Sequence, residues 1–290
     1  MKFGIYAFSR LFIKKNRNDR EKHAVYVIME DMIKIMKEKF ILIINEREHI
    51  FDKESRDNLL HKLDEIEFKR KLDIIDISSV PFMETCYKDI GISKMIVLKN
   101  ISSNSLLEPC FSRHFPHAII CGNIEFGIAY EILHAFDNDH YKHIYIRDKK
   151  GKLMLTSESI ENFKKKIEYF VKQYNDQKEC ITMKIINSLL TLHKNIADIG
   201  GLNLAHRTYM KYLQSIGGKE PKVPRFENFT SEQLFFISNG RTFCEHESKD
   251  RNIETWGLSL KTVEIPLFFG HDTDNKIWIQ GSVLSNEVGQ

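Results

Sequence analysis

Several features are scarce or missing in this sequence, and each absence limits what the protein does. No apolar run approaches the roughly 18 residues that a transmembrane helix needs. The 5 cysteines are scattered, with no CxxC pair and no zinc-ribbon spacing, and an odd number cannot pair completely within one chain. The 43 basic residues nearly balance the 40 acidic ones, so the basic excess typical of nucleic-acid-binding proteins is absent. We therefore expect neither a nucleic-acid partner nor a membrane span in this chain.

The composition that is present is that of a globular protein. Of the 290 residues, 42% are hydrophobic and 29% are charged, which excludes disorder and gives enough apolar surface for a sizeable core. The N-terminus starts like a signal peptide, but Arg10 interrupts the short apolar run, so we expect an amphipathic first segment. Two glycosylation triplets, Asn100–Ser102 and Asn228–Thr230, also arise often by chance. The sequence alone leaves the localisation unknown.

Apolar periodicity predicts a helical first part and a mixed second part. Residues 17–75 repeat apolar side chains at helical spacing, and Asp52 is a plausible N-cap for a second helix within them. Prolines and glycines then mark a boundary near residue 80. Further helices are predicted at 157–178, 182–199 and 233–243, and strands at 95–98 and around Ile277.

The segment 124–137 combines an apolar and a polar face when it is placed on a helix at about 100° per residue. The apolar face carries Ile128, Ile132, Ala135 and Phe136. The opposite face carries Tyr130, Glu131, His134 and Asp137. A polar face on a buried helix needs partners. On its own, however, the Glu-x-x-His spacing is explained equally well by a solvent-facing stripe.

A second segment makes the first one informative. Residues 130–137 are Y-E-I-L-H-A-F-D, and residues 194–201 are K-N-I-A-D-I-G-G. Together they resemble the neprilysin and endothelin-converting-enzyme family of zinc metallopeptidases, whose patterns are H-E-x-x-H-x-F-D and E-N-I-A-D-x-G-G. The resemblance extends over about residues 20–286 and is strongest at 104–244.

The resemblance implies a fold and a domain organisation. The fold class is α+β, mostly α, with a zincin (thermolysin-like) metallopeptidase C-terminal domain at residues 81–290. A helical remnant of the family's second lobe would precede it at residues 1–80. Family members are far longer, so we expect a truncated, degenerate member with a more open cleft.

The resemblance also assigns roles to individual positions, and two of them carry unsuitable residues. In the family, two histidines and a glutamate hold zinc, a glutamate accepts a proton from zinc-bound water, and an aspartate orients a ligating histidine. His134 matches the second zinc histidine, Glu131 the general base and Asp198 the orienting aspartate. Tyr130 stands at the first zinc histidine and Lys194 at the zinc glutamate.

These substitutions remove two of three zinc ligands. A tyrosine must ionise from a pKa near 10 to bind zinc, and a lysine presents a cation to a dication. Glu264 aligns with the family histidine that stabilises the oxyanion, so that group is lost as well. We therefore predict no cofactor here, although the family uses zinc. Without zinc, we expect the Lys194 ammonium to lie near Glu131 and to compensate the buried charge of the Glu131 carboxylate.

Other residues offer little replacement for the lost ligands. His193 neighbours Lys194 but points about 100° away from it on a helix. Asp137, Asp139, His140 and His143 form either a loose metal site or an ordinary polar loop after the helix.

Three hypotheses follow. The first is a pseudopeptidase: a neprilysin-family homologue that has lost catalysis and binds peptides or a protein partner. The alternative is an active zinc metalloendopeptidase that cleaves small peptides with unusual metal ligation, which rests on the retained Glu131, His134 and Asp198. The third is a truncated gene product that does not fold stably.

Overall fold

The structure of the chain is a computed structural model, and it describes residues 19–66, 111–146, 149–175, 188–242, 270–271 and 277–278. This part of the chain is mostly helical. Its strands form two short antiparallel pairs. The predicted helical majority is confirmed. The predicted strand at 95–98 and the boundary at residue 80 lie outside the described residues, so the division into two domains stays a prediction.

Two helices open the described part of the chain. Helix α1 spans Asp19–Asn45 and α2 spans Lys53–Asp64, with a turn between them. Buried apolar side chains recur along α1 at spacings of three and four: Met29, Met32, Ile33, Met36, Phe40 and Ile44. The Ser55 backbone N–H donates to Asp52 Oδ1 at 2.8 Å, which confirms Asp52 as the N-cap of α2.

The central helical segment has three parts. Helix α3 (His117–Ile120) continues through a π-helical turn (Cys121–Glu125) into α4 (Phe126–Leu133). A π-helical turn displaces the regular backbone ladder, and such turns are frequent at functional sites. Two side chains from a later helix donate to carbonyls of this segment: Asn239 Nδ2 to Gly122 at 3.2 Å and Ser238 Oγ to Ile119 at 2.8 Å. The turn is therefore fixed by side chains from a distant element.

Helix α4 has the apolar face that its periodicity predicts. Ile128, Ile132, Ala135 and Phe136 are all buried. The helix itself ends at Leu133, and His134 is its C-cap. Asp137 therefore lies in the loop after the helix.

The next elements complete the fold. Strands β1 (His143–Ile146) and β2 (Lys149–Leu153) pair antiparallel, and helix α5 (Ser157–Asn175) follows. The long helix α6 spans Ser188–Ser215 and α7 spans Ser231–Thr242, before the short pair β3 (Gly270–His271) and β4 (Ile277–Trp278). No helix in the described ranges is long and apolar enough to cross a membrane.

Helix α6 corrects one prediction. Its predicted end at residue 199 is wrong, because the helix runs through Gly200 and Gly201 to Ser215. A Cβ on Gly201 would lie 2.8 Å from the Tyr130 backbone nitrogen, and one on Gly200 would lie 2.8 Å from Leu133 Cδ1. The two glycines do not stop the helix but let α6 approach α4 closely.

One hydrophobic core joins these helices. It contains buried side chains from α1, α2, α4, α6 and α7. Phe40 of α1 meets Phe136 edge to face, with ring centroids 5.0 Å apart. The first helices therefore pack directly against the end of α4.

Candidate functional site

The close crossing of α4 and α6 brings the predicted site residues together. Tyr130 and Glu131 lie on α4, and His134 is its C-cap. Lys194 and Asp198 lie on the facing helix α6. Glu264 lies outside the described residues, so its predicted position stays untested.

Tyr130, at the position of the first family histidine, has an environment that keeps its phenol neutral. Burial raises the pKa of Tyr130, and the carboxylates of Asp198 and Glu131 raise it further. Its ring meets the His134 imidazole edge to face, with centroids 4.5 Å apart and planes at 83°. The side chain thus packs as a neutral aromatic group against the retained histidine.

Asp198 is a carboxyl group that binds a proton near neutral pH. Burial raises the pKa of Asp198 to about 7, and the neighbouring Lys194 only partly opposes this effect. The same carboxyl raises the pKa of Tyr174 on α5, after the larger effect of burial. Lys194 therefore acts electrostatically on Asp198, whereas its predicted contact with Glu131 stays a prediction.

His134 is held by Asp137. Asp137 Oδ2 lies 2.9 Å from His134 Nδ1, and Asp137 Oδ1 lies 2.7 Å from His140 Nδ1. The backbone N–H groups of Asp139 and His140 also donate to Asp137 Oδ1. Burial would raise the pKa of Asp137, but the hydrogen bonds from the two imidazoles outweigh it and lower the pKa to about 2.

The hydrogen bonds of Asp137 also determine the structure of the polar loop that follows α4. Asp137 organises the loop by holding two imidazoles and two backbone N–H groups at once. In the part of the chain that the structure describes, no group of three or more histidine, cysteine, aspartate or glutamate side chains is arranged to hold a metal ion. His134 and His140 therefore form a hydrogen-bonded network around the buried Asp137 carboxylate.

His193 lies nearer to the site than its position on the helix suggested. Its ring centroid is 6.0 Å from that of His134. Burial lowers the pKa of His193, and the carboxylates of Asp139 and Asp137 oppose that effect. Helical periodicity relates His193 only to residues of its own helix, such as Lys194, so it does not predict a contact with a residue of another helix.

Lys62 on α2 is a site residue that sequence reasoning missed. Its ammonium donates to the backbone carbonyls of His140 at 2.7 Å and His143 at 3.0 Å. It also lies 5.4 Å from the centroid of the Phe136 ring. Burial lowers the pKa of Lys62 to about 8, and Asp137 opposes this effect. Helix α2 thereby holds the loop that positions His134.

Glu125 in the π-helical turn was also missed. Burial raises the pKa of Glu125 to about 7, and a hydrogen bond with Cys121 only partly opposes it. Its Oε2 atom is buried with no hydrogen-bond partner. Burial likewise raises the pKa of the Cys121 thiol, which makes it unreactive. Glu125 lies before the motif residues 130–137, so only its apolar neighbours in sequence could have indicated that it is buried.

The comparisons with known proteins bear on this site directly. Residues 99–258, more than half of the chain, match the model of peptidase family M13. The chain belongs to peptidase family M13. It is 35% identical to neprilysin-1 of Caenorhabditis elegans over 139 residues, which is 48% of this chain and 18% of that protein. It is 32% identical to rat endothelin-converting enzyme 1 over 151 residues, which is 51% of this chain and 19% of that protein.

Solved structures agree at the level of the fold. The zinc metalloprotease Zmp1 of Mycobacterium tuberculosis, solved with an inhibitor, aligns with a TM-score of 0.65 at 16% identity, over 86% of this chain and 42% of that one. A galactose-containing glycoprotein complex from Haemonchus aligns with a TM-score of 0.69 at 20% identity, over 88% of this chain and 46% of that one. The chain therefore spans less than half of these structures and under a fifth of the curated relatives. Its membership of the neprilysin family of zinc metallopeptidases, predicted from the two motifs, is confirmed.

Proposed function

We propose that this chain is a pseudopeptidase, an M13 homologue that binds no catalytic zinc and cleaves no peptide. The observation that carries the proposal is Tyr130. Zinc binding would require the phenolate, but burial and three carboxylates, those of Asp198, Glu131 and Asp137, hold the pKa of this phenol above its usual value. The position that should supply an imidazole therefore supplies a neutral phenol.

Lys194 supports the same proposal. At the position of the zinc glutamate it places a cation beside the Asp198 carboxyl. A dication and an ammonium repel each other, and an ammonium has no lone pair for a metal. Together the residues present at the three family ligand positions do not fit zinc, because only His134 retains a suitable donor.

The retained site residues interact with neighbouring side chains in the absence of a metal. His134 and Asp137 are hydrogen-bonded to each other, and Lys194 partly compensates Asp198. In the proposal, residues 81–290 keep the zincin-type architecture of the family's catalytic domain, residues 1–80 are the remnant of its second lobe, and Glu264 occupies the lost oxyanion position. The partner class we propose is a peptide or a protein, and no nucleic acid.

Restoring the ligands tests the proposal. The double variant Tyr130→His and Lys194→Glu returns two family ligands beside His134. We expect the wild-type chain to cleave no bradykinin-sized fluorogenic peptide, with or without added zinc. The double variant is expected to retain zinc through gel filtration. Each single variant serves as a matched control and should retain less zinc than the double variant.

Three outcomes separate the hypotheses. Peptide cleavage by the wild-type chain that a chelator abolishes, and that Glu131→Gln also abolishes, would overturn the pseudopeptidase proposal and favour an enzyme with unusual ligation. A double variant that retains no more zinc than the wild type would show that the two helices no longer frame the family's site. A cooperative thermal transition of the wild-type chain would exclude the hypothesis that the product does not fold.

A further inference from the structure

A second feature of the chain lies away from the helix crossing, in the loop between α6 and α7. Asn228, Phe229 and Thr230 form an Asn-x-Thr triplet, and both Asn228 and Thr230 are exposed. The Phe229 backbone N–H donates to the Phe226 carbonyl at 3.0 Å and closes a turn with Asn228 in its third position. The folded chain therefore presents this asparagine at the surface, where a bulky group has room.

Side chains of the loop itself fix this turn. The Lys222 ammonium donates to the Glu227 carbonyl at 2.7 Å. The Arg225 backbone N–H donates to Glu227 Oε1 at 3.0 Å. The Gln233 backbone N–H donates to Thr230 Oγ1 at 3.1 Å, so Thr230 also caps α7. The triplet thus has a defined conformation next to a helix start.

An exposed aromatic ring accompanies the triplet. Phe226, two residues before Asn228 on the same turn, is 43% exposed. Phe229 is 38% exposed, and the two ring centroids are 6.0 Å apart. A pyranose ring has an apolar face of C–H groups, and such a face packs favourably on an aromatic ring. Phe226 is therefore an exposed aromatic ring on the same turn as Asn228.

We propose that Asn228 is an N-glycosylation site and that Phe226 packs against the first N-acetylglucosamine. In the transfer, Asn228 Nδ2 loses a proton and bonds to the anomeric carbon of that sugar. The bond from this carbon to the diphosphate oxygen breaks, and the lipid diphosphate leaves with the electron pair. The donor is a lipid-diphosphate-linked oligosaccharide, and a cellular oligosaccharyltransferase catalyses the step.

The site is tested with the full chain, secreted from animal cells behind a cleavable leader. The Asn100 triplet lies outside the described residues, so Asn100→Gln is included to leave one candidate site. We expect a mobility shift on treatment with peptide N-glycosidase F. Asn228→Gln should abolish this shift, and Thr230→Ser should keep it. No shift in the Asn100→Gln chain, or a shift that survives Asn228→Gln, would overturn the proposal.

The role of Phe226 needs a separate readout. The chain is expressed with a mannosidase inhibitor that keeps its glycans in the high-mannose form, and endoglycosidase H then leaves a single N-acetylglucosamine on the asparagine. The Tm of this form is compared with that of the Asn228→Gln chain. We expect the sugar to raise the Tm by about 2 °C, the shift that an aromatic packing contact gives in a chain of this size. Phe226→Ala should remove the gain, whereas the matched control Phe229→Ala should keep it. A gain that persists in Phe226→Ala would contradict the assigned contact.

Discussion

Replacing Asp198 by asparagine tests the electrostatics of the candidate site. Burial raises the pKa of Asp198 from 3.8 to about 7 in the folded chain. The folded state therefore binds this proton more tightly than the unfolded state. Its contribution to stability is full below pH 4 and is lost as the pH rises toward 7. Asparagine has nearly the same shape and does not titrate, so the variant lacks this pH dependence.

The magnitude follows from the two pKa values. Each pKa unit corresponds to about 1.4 kcal/mol. Because the folded-state pKa is about 7, most of the titration that affects stability between pH 5 and pH 8 covers about two pH units. The free energy of unfolding of the wild type should therefore fall by about 2–3 kcal/mol over this range, and that of the variant should not. A metal dication at this site would stabilise the carboxylate and suppress the loss. The prediction therefore depends on the absence of bound zinc.

The assay is urea unfolding of both chains at pH 5 and pH 8, with the free energy of unfolding obtained by linear extrapolation. On going from pH 5 to pH 8, the free energy of unfolding of the wild type should fall by about 2–3 kcal/mol relative to that of Asp198→Asn. Asp57→Asn, at an exposed position on α2, is the matched control and should show no such change. A difference that is the same at both pH values would refute the reasoning.

Three further predictions concern groups around the site. Glu125→Gln should stabilise the chain above pH 7 and have less effect at pH 5, because burial raises the pKa of Glu125 to about 7 and disfavours its charged form. Urea unfolding at pH 5 and pH 8 measures this effect. An equal change in the free energy of unfolding at both pH values would contradict it. Gly201→Ala should lower the free energy of unfolding by about 2 kcal/mol, since its Cβ would lie 2.8 Å from the Tyr130 nitrogen; the control Gly127→Ala, with nothing within 4 Å, should be neutral or stabilising. Lys62→Met should cost about 2 kcal/mol by leaving the His140 and His143 carbonyls without their donor; an unchanged Tm would rule out this role for the ammonium.

The local elements were predictable because their signals are local. The Asp52 cap depends on a side chain three residues from its partner, and the apolar face of α4 depends on spacings of three and four. The site positions on α4 and α6 came from two motifs, and the two helices do cross there. Such features are encoded within one or two helical turns.

Contacts between distant segments were not predictable in this way. Glycines usually indicate the end of a helix, so the continuation of α6 through Gly201 required knowledge of the Tyr130 backbone on another helix. Lys62 reaches carbonyls that lie 78 and 81 residues away. The contact between His193 and His134 likewise joins two helices. None of these pairs leaves a periodic trace in the sequence.

The zinc content of the purified chain tests the central proposal most directly. The chain is loaded with zinc, passed through gel filtration and analysed by inductively coupled plasma mass spectrometry, with the Tyr130→His and Lys194→Glu double variant beside it. A pseudopeptidase with a neutral Tyr130 and a cationic Lys194 should retain far less than one zinc per wild-type chain. One tightly held zinc per wild-type chain, lost together with peptide cleavage on chelation, would contradict the proposal.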